Sequence, residues 1–310
     1  MALFPITPPA GIVTNGTDYA NKGRWVDGDL VRFENGYLKP IGGWEKLKAT
    51  ALDGAIIGLY SYKDNTGENI LAVGTREKVY VLYKNVWDDI TPSGFVNDAS
   101  DDPLGFGAYI YGEEDYGDAR SQSGLILQAG YFSFDNWGED LVFTFSKDGK
   151  IYKWQPNSGG TADTIATPVT NAPVGNLSTL VTNERHLVAI GSSYGPRKVA
   201  LSNREDRNNW TSKATNTAGD LRLSSGSTFV QAVETKQQIL VFTDRSLFSM
   251  RFIGPPFTFG LQELSKNISI MSPNSAVAVD DIVIWMGKES FYIYTGRSQQ
   301  IACTVKDKVF

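Results

Sequence analysis

Apolar and polar positions along the chain repeat one arrangement five times: a β-rich run, a tight polar turn and a second β-rich run. The copies occupy residues 69–83 (NILAVGTREKVYVLY), 140–154 (DLVFTFSKDGKIYKW), 187–202 (LVAIGSSYGPRKVALS), 239–252 (ILVFTDRSLFSMRF) and 282–294 (IVIWMGKESFYIY). Another β-like run precedes each, at 56–62, 125–134, 177–182, 228–234 and 275–279. The last four hairpins begin 47, 52 and 43 residues apart, which is the spacing of propeller blades. The expected fold class is all-β, a β-propeller of about five to six antiparallel blades, with an extended N-terminal arm. Closure of the ring is expected from the N-terminal hairpin or from sequence beyond Phe310.

The runs differ in kind. Leu141-Val142-Phe143-Thr144-Phe145 and Ile282-Val283-Ile284-Trp285-Met286 are apolar almost without a break, as strands covered on both faces are. Phe291-Tyr292-Ile293-Tyr294 and residues 78–83 mix in Tyr and Lys, as outer strands do. Residues 1–24 are polar and punctuated by Pro and Gly, which predicts an arm lying on a surface. Residues 25–310 carry the propeller. In that span, a hairpin reverses at Asn35-Gly36, and 44–53 (WEKLKATALD) is the one stretch that reads as a helix. The ending, Val305 to Phe310, reads as the start of a strand, so the chain is expected to be a fragment.

The first and second hairpins begin 71 residues apart, and the excess is an insertion at 92–124. It holds Asp98, Asp101, Asp102, Glu113, Glu114, Asp115 and Asp118 against Arg120 alone, with Tyr and Gly interleaved. Such a segment buries little apolar surface by itself, so it is expected to project and to order against a neighbour. Arg197, Lys198, Arg204 and Arg207 form a small basic cluster between strands, suited to an acidic neighbour such as the 98–118 loop of another copy. Together these acids and bases are the candidate subunit-interface or lumen residues.

Composition narrows the chemistry. The net charge is −5, against the basic surface of a DNA-coating protein. A single cysteine, Cys303, leaves no internal disulfide and reads as a small buried apolar residue. A single histidine, His186, excludes multi-His metal sites and reads as a turn residue entering a strand. No apolar stretch is long enough to span a membrane. Ser146-Lys147-Asp148-Gly149 with Trp154 approximates the Asp-box of sialidase-type propellers, but Gly follows Asp directly and the pair reads as a hairpin turn. The acid pairs Glu113/Asp115 and Glu139/Asp140 have the residue type for glycoside hydrolysis, with nothing to fix their separation. The expectation is a protein that is not an enzyme and uses no cofactor and no metal.

Several phrases resemble, as a set, the tail hub or nozzle proteins of short-tailed bacteriophages, also called packaged-DNA stabilisation or head-completion proteins. They are Gly23-Arg24-Trp25 with Asp29-Leu30-Val31-Arg32-Phe33 and Pro40-Ile41-Gly42-Gly43-Trp44; Asp135-Asn136-Trp137-Gly138-Glu139-Asp140-Leu141; Asn183-Glu184-Arg185-His186-Leu187; Ile253-Gly254-Pro255-Pro256-Phe257; and Trp285-Met286-Gly287 with Phe291-Tyr292. The resemblance runs from about residue 20 to the end and is weakest in the acid-dense loop. It implies a structural virion protein, assembled in the host cytoplasm into a homo-hexameric ring of the phage tail. The ring's bore would retain the genome and later pass double-stranded DNA without specific binding. Implied partners are other copies of itself, the portal-side tail adaptor, and tail fibres or a needle. A carbohydrate-binding or host-recognition phage propeller is the alternative.

Overall fold

The computed structural model describes residues 8–48, 50–97, 129–156, 163–192, 195–254 and 257–310. Among these residues the strands form five four-stranded antiparallel sheets and one two-stranded sheet. After the hairpin β1 (Val31–Glu34) and β2 (Tyr37–Pro40), the sheets follow one another along the chain. Blade 1 is β3 (Ile56–Lys63), β4 (Asn69–Thr75), β5 (Val79–Tyr83) and β6 (Val86–Asp89). Blade 2 is β7 (Phe132–Trp137), β8 (Asp140–Phe145), β9 (Ile151–Trp154) and β10 (Thr167–Pro168). Blade 3 is β11 (Ser178–Val181), β12 (Leu187–Ile190), β13 (Lys198–Leu201) and β14 (Gly219–Arg222). Blade 4 is β15 (Phe229–Glu234), β16 (Ile239–Thr243), β17 (Ser246–Gly254) and β18 (Thr258–Lys266). Blade 5 is β19 (Ala276–Val279), β20 (Ile282–Met286), β21 (Phe291–Tyr294) and β22 (Ser298–Ile301). The protein is a β-propeller, and its five repeated hairpins are the middle strands of the five blades.

The core lies between blades. Four apolar clusters join blades 1 and 2, 2 and 3, 3 and 4, and 4 and 5. Side chains alternate across a strand, so a middle strand covered on both faces must be apolar throughout. That is the case for β8, β12 and β16, in which every residue is buried. In β8, Leu141, Phe143 and Phe145 point toward blade 1 while Val142 points toward blade 3. The fourth strands β10 and β14 are short and add little core. β18, nine residues long, instead contributes Phe259 to the core between blades 3 and 4.

Local chemistry places the turns. Asn35 and Gly36 both take positive φ, 54° and 82°, as the tight reversal between β1 and β2 requires. Gly149, at φ 70°, follows Asp148 in the β8–β9 connection, and a Cβ there would lie 2.7 Å from the Cα of Gly175. The Asp148 side chain is buried and accepts a hydrogen bond from the Tyr152 hydroxyl, which anchors the turn inside blade 2.

Five expectations are corrected. Residues 78–83 and 291–294, expected as outer strands, hold β5 and β21, which pair with a strand on each side. Residues 282–286, expected to be covered on both faces, leave Ile282 and Ile284 exposed because, among the described residues, no blade packs on that side. Residues 44–48 and 50–53 are irregular rather than helical. A helix this short has little stability without a packed face, and the segment is instead pinned to blade 1. There Lys48 Nζ donates to the Asn85 carbonyl at 3.0 Å, and Asp53 pairs with Lys78 at 2.9 Å. Val305 to Phe310 does not begin a strand: Lys306–Val309 is a single helical turn, α1, with Asn15 Oδ1 accepting from the Asp307 N–H. Cys303 is half-buried, and its carbonyl accepts from Asn15 Nδ2 at 2.8 Å. No described helix is long and apolar enough to cross a membrane.

Candidate functional site

The first strands of the blades, β3, β7, β11, β15 and β19, lie side by side around the axis. The first four of them and the turn before β19 line a cavity of about 410 Å³, with Gly58, Tyr60, Phe132, Ser133, Thr179 and Gln231 among its walls. Each first strand is the edge of its own sheet, so its axis-side backbone groups lack ladder partners. Burying such groups unpaired is costly.

Neighbouring side chains meet this need. Ser133 of β7 accepts from the Thr179 N–H of β11 at 3.2 Å and donates back to the Thr179 carbonyl. Asp135 of β7 accepts from the Val181 N–H at 2.7 Å. Glu234 of β15 accepts from the Asn183 N–H, just past β11, at 2.9 Å. The Gln231 amide engages Ala276 of β19 twice, donating to its carbonyl and accepting from its N–H, both at 3.0 Å. Tyr60 of β3 donates to Asn136 Oδ1 at 2.7 Å. Every consecutive pair of inner strands from blade 1 to blade 5 is therefore tied by side chains.

Three of the tethering groups, Tyr60, Asp135 and Glu234, lie close enough to affect one another. Burial pushes the Asp135 carboxyl up, against the lowering effect of the N–H groups it accepts from. Burial is also the main cause at Glu234, raised to about 7; the Asn183 N–H lowers it, and Asp135 and Glu184 add to the rise. Burial and the adjacent Asp135 raise the Tyr60 phenol. Glu234 is thus poised to exchange a proton near neutrality. Among the described residues, no group of three or more His, Cys, Asp or Glu is placed to hold a metal ion.

His186 lies away from this axis and is fully buried. Its Nδ1 donates to the Ser202 carbonyl at 2.8 Å, its Nε2 meets no partner, and its ring stands edge-on to Phe259. Burial lowers its pKa, so the ring is neutral.

Asp101, Asp102, Glu113, Glu114, Asp115 and Asp118 lie outside the described residues. The four basic residues do not make one patch. Arg197 and Lys198 stand at the start of β13, in a cleft of about 600 Å³ shared with Asp220, Arg222, Gly226 and Ser227. Lys198 pairs there with Asp220 at 2.9 Å. Arg204 and Arg207 lie beyond the far end of β13. Arg204 is exposed, whereas Arg207 binds Asp140 of blade 2 at 2.6 Å with both side chains largely buried. Arg207 is thus an internal blade-to-blade tie. The axial tethers were not singled out from sequence. Their signal is the polar residues interspersed among apolar ones in a first strand, as in FSFDNW and FVQAVE.

No protein-family profile matches the sequence, and no characterised protein matches it by sequence. Solved structures resemble the fold. A streptogramin B lyase is 12% identical with a TM-score of 0.47, covering 98% of this chain and 86% of its own. The extracellular domain of a hybrid two-component system from B. thetaiotaomicron is 13% identical with a TM-score of 0.40; the match covers 81% of this chain and 34% of that one. Hsv2 of Kluyveromyces lactis is 6% identical with a TM-score of 0.35, covering 55% of this chain and 48% of its own. The chain spans about a third of the length of that extracellular domain. At these identities the likeness is one of fold alone.

Proposed function

We propose that this chain is a structural subunit of a phage tail ring, a nozzle or hub whose bore between subunits holds and then passes the genome. The observation that carries the reading is where the large apolar side chains lie in water. Tyr19, Val26, Leu30, Tyr37, Leu38, Ile41, Trp44 and Leu47 are all exposed on the N-terminal segment, Trp44 at 99%. Val277, Val279, Ile282 and Ile284 are exposed on blade 5. Such concentrations mark surfaces that another polypeptide covers.

The axial cavity of about 410 Å³ has the volume of a small-molecule site. It cannot admit a duplex whose major groove alone is about 12 Å wide. The bore that passes DNA therefore belongs to the ring of subunits, and each propeller is a stiff wall block. The inner-strand tethers supply that stiffness. A net charge of −5 disfavours adhesion to phosphate.

Quantitative mass spectrometry of purified virions tests the reading. About six copies per particle are expected, the count of a closed ring of the kind the resemblance implies. Absence from particles, or a few tens of copies, would overturn it.

A further inference from the structure

Blade 5 differs from blades 2, 3 and 4 in one respect. The middle strands β8, β12 and β16 are buried on both faces, whereas β20 alternates: Val283 and Trp285 are buried against blade 4, and Ile282 and Ile284 are open. The cross-strand partners of the open residues are apolar too. Val277 faces Ile284 and Val279 faces Ile282 on one side, and Ile293 faces Ile284 on the other. The strand has the unbroken apolar composition of a doubly covered strand, yet only one cover is present. Among the described residues, no core cluster joins blade 5 to blade 1.

The same chain carries a second apolar surface without a cover. The β1–β2 hairpin and its flanks expose Leu30, Tyr37, Leu38, Ile41 and Trp44, and no residue before Ile57 enters any of the four clusters. The segment is anchored away from its apolar residues. Thr14 and Asn15 donate backbone N–H groups to Thr304, Lys308 pairs with Asp27, and Lys48 holds the Asn85 carbonyl of blade 1. The hairpin is thus held in place and presents its apolar side chains outward.

We propose that these two surfaces meet between copies: the β1–β2 segment of one copy covers the open face of β19, β20 and β21 on the next. A contact between two different patches is heterologous, and repeating it by a closing rotation generates a ring. The inference rests on the ring reading above and deepens it by naming the contact and its polarity.

The test uses the full chain in light and isotopically heavy forms, mixed, with the photoreactive p-benzoylphenylalanine replacing Trp44. Irradiation should join heavy to light copies, with the attachment mapping to residues 276–293. Bonds found only within a copy, or between copies but elsewhere, would overturn the contact. A second variant, Ile282→Asp with Ile284→Asp, alters two exposed positions and should leave cooperative unfolding in place. It should reduce the particle mass to the 34.0 kDa of one chain. If the variant still assembles, the contact is wrong while the ring stands. If the unaltered chain is itself a monomer that cross-links to no second copy, both the contact and the ring fail.

Discussion

Glu234 shows how one carboxyl at the axis couples folding to proton uptake. Its folded pKa is raised from 4.5 to about 7 by burial, so the folded state binds a proton that the unfolded chain releases. The linkage sign follows: the contribution to stability is full below about pH 4.3 and is lost as pH climbs to about 7. Glu234→Gln keeps an oxygen for the Asn183 N–H and removes the charge. Thermal melts should place this variant about 1–2 kcal/mol above the parent at pH 8, discounted for partial exposure, and near it at pH 5. Equal pH slopes for the two proteins would contradict the assignment. His186 acts in the opposite direction, since its folded pKa is lowered: its contribution is present above about pH 6.5 and is lost on acidification. Gly149 tests the turn chemistry. Its positive φ and the Gly175 backbone leave no space for a Cβ, so Gly149→Ala should destabilise by about 1–3 kcal/mol in chemical denaturation.

At the level of elements, the blades are held by two devices, apolar clusters outside and polar tethers at the axis. Removing the Gln231 amide strips Ala276 of both its partners for N–H and C=O. Gln231→Ala should cost about 1–3 kcal/mol and speed amide exchange selectively across β19. Uniform exchange over all blades would argue against a local tether. The Arg207–Asp140 pair joins blade 3 to blade 2 with little exposure. Arg207→Ala should cost about 3–5 kcal/mol by leaving Asp140 unpaired, and Asp140→Asn in the same chain should recover part of the loss. How far these elements could be read from sequence follows from their burial. The ten strands in the five repeated hairpins are apolar enough to announce themselves. The outermost strands, such as Thr167–Pro168 and Gly219–Arg222, are exposed and carry no such pattern. The tethers needed three dimensions, because Asp135 and Val181 or Gln231 and Ala276 are about 45 residues apart. The 44–53 helix failed because composition favours a helix that no packed face supports.

On the scale of the whole molecule, five blades make four interblade cores and leave the outer face of blade 5 open. The apolar run of residues 282–286 reads as covered on both faces, whereas the structure covers one: Val283 and Trp285 are buried, and Ile282 and Ile284 are exposed. The exposed apolar hairpin, the tied inner strands and the narrow axial cavity fit a rigid block built to stand beside identical blocks. The most direct measurement is the mass of the purified chain by native mass spectrometry at micromolar concentration. A closed multiple of 34.0 kDa, about six copies, is expected with few intermediate species. A single species at 34.0 kDa across the concentration range would contradict it.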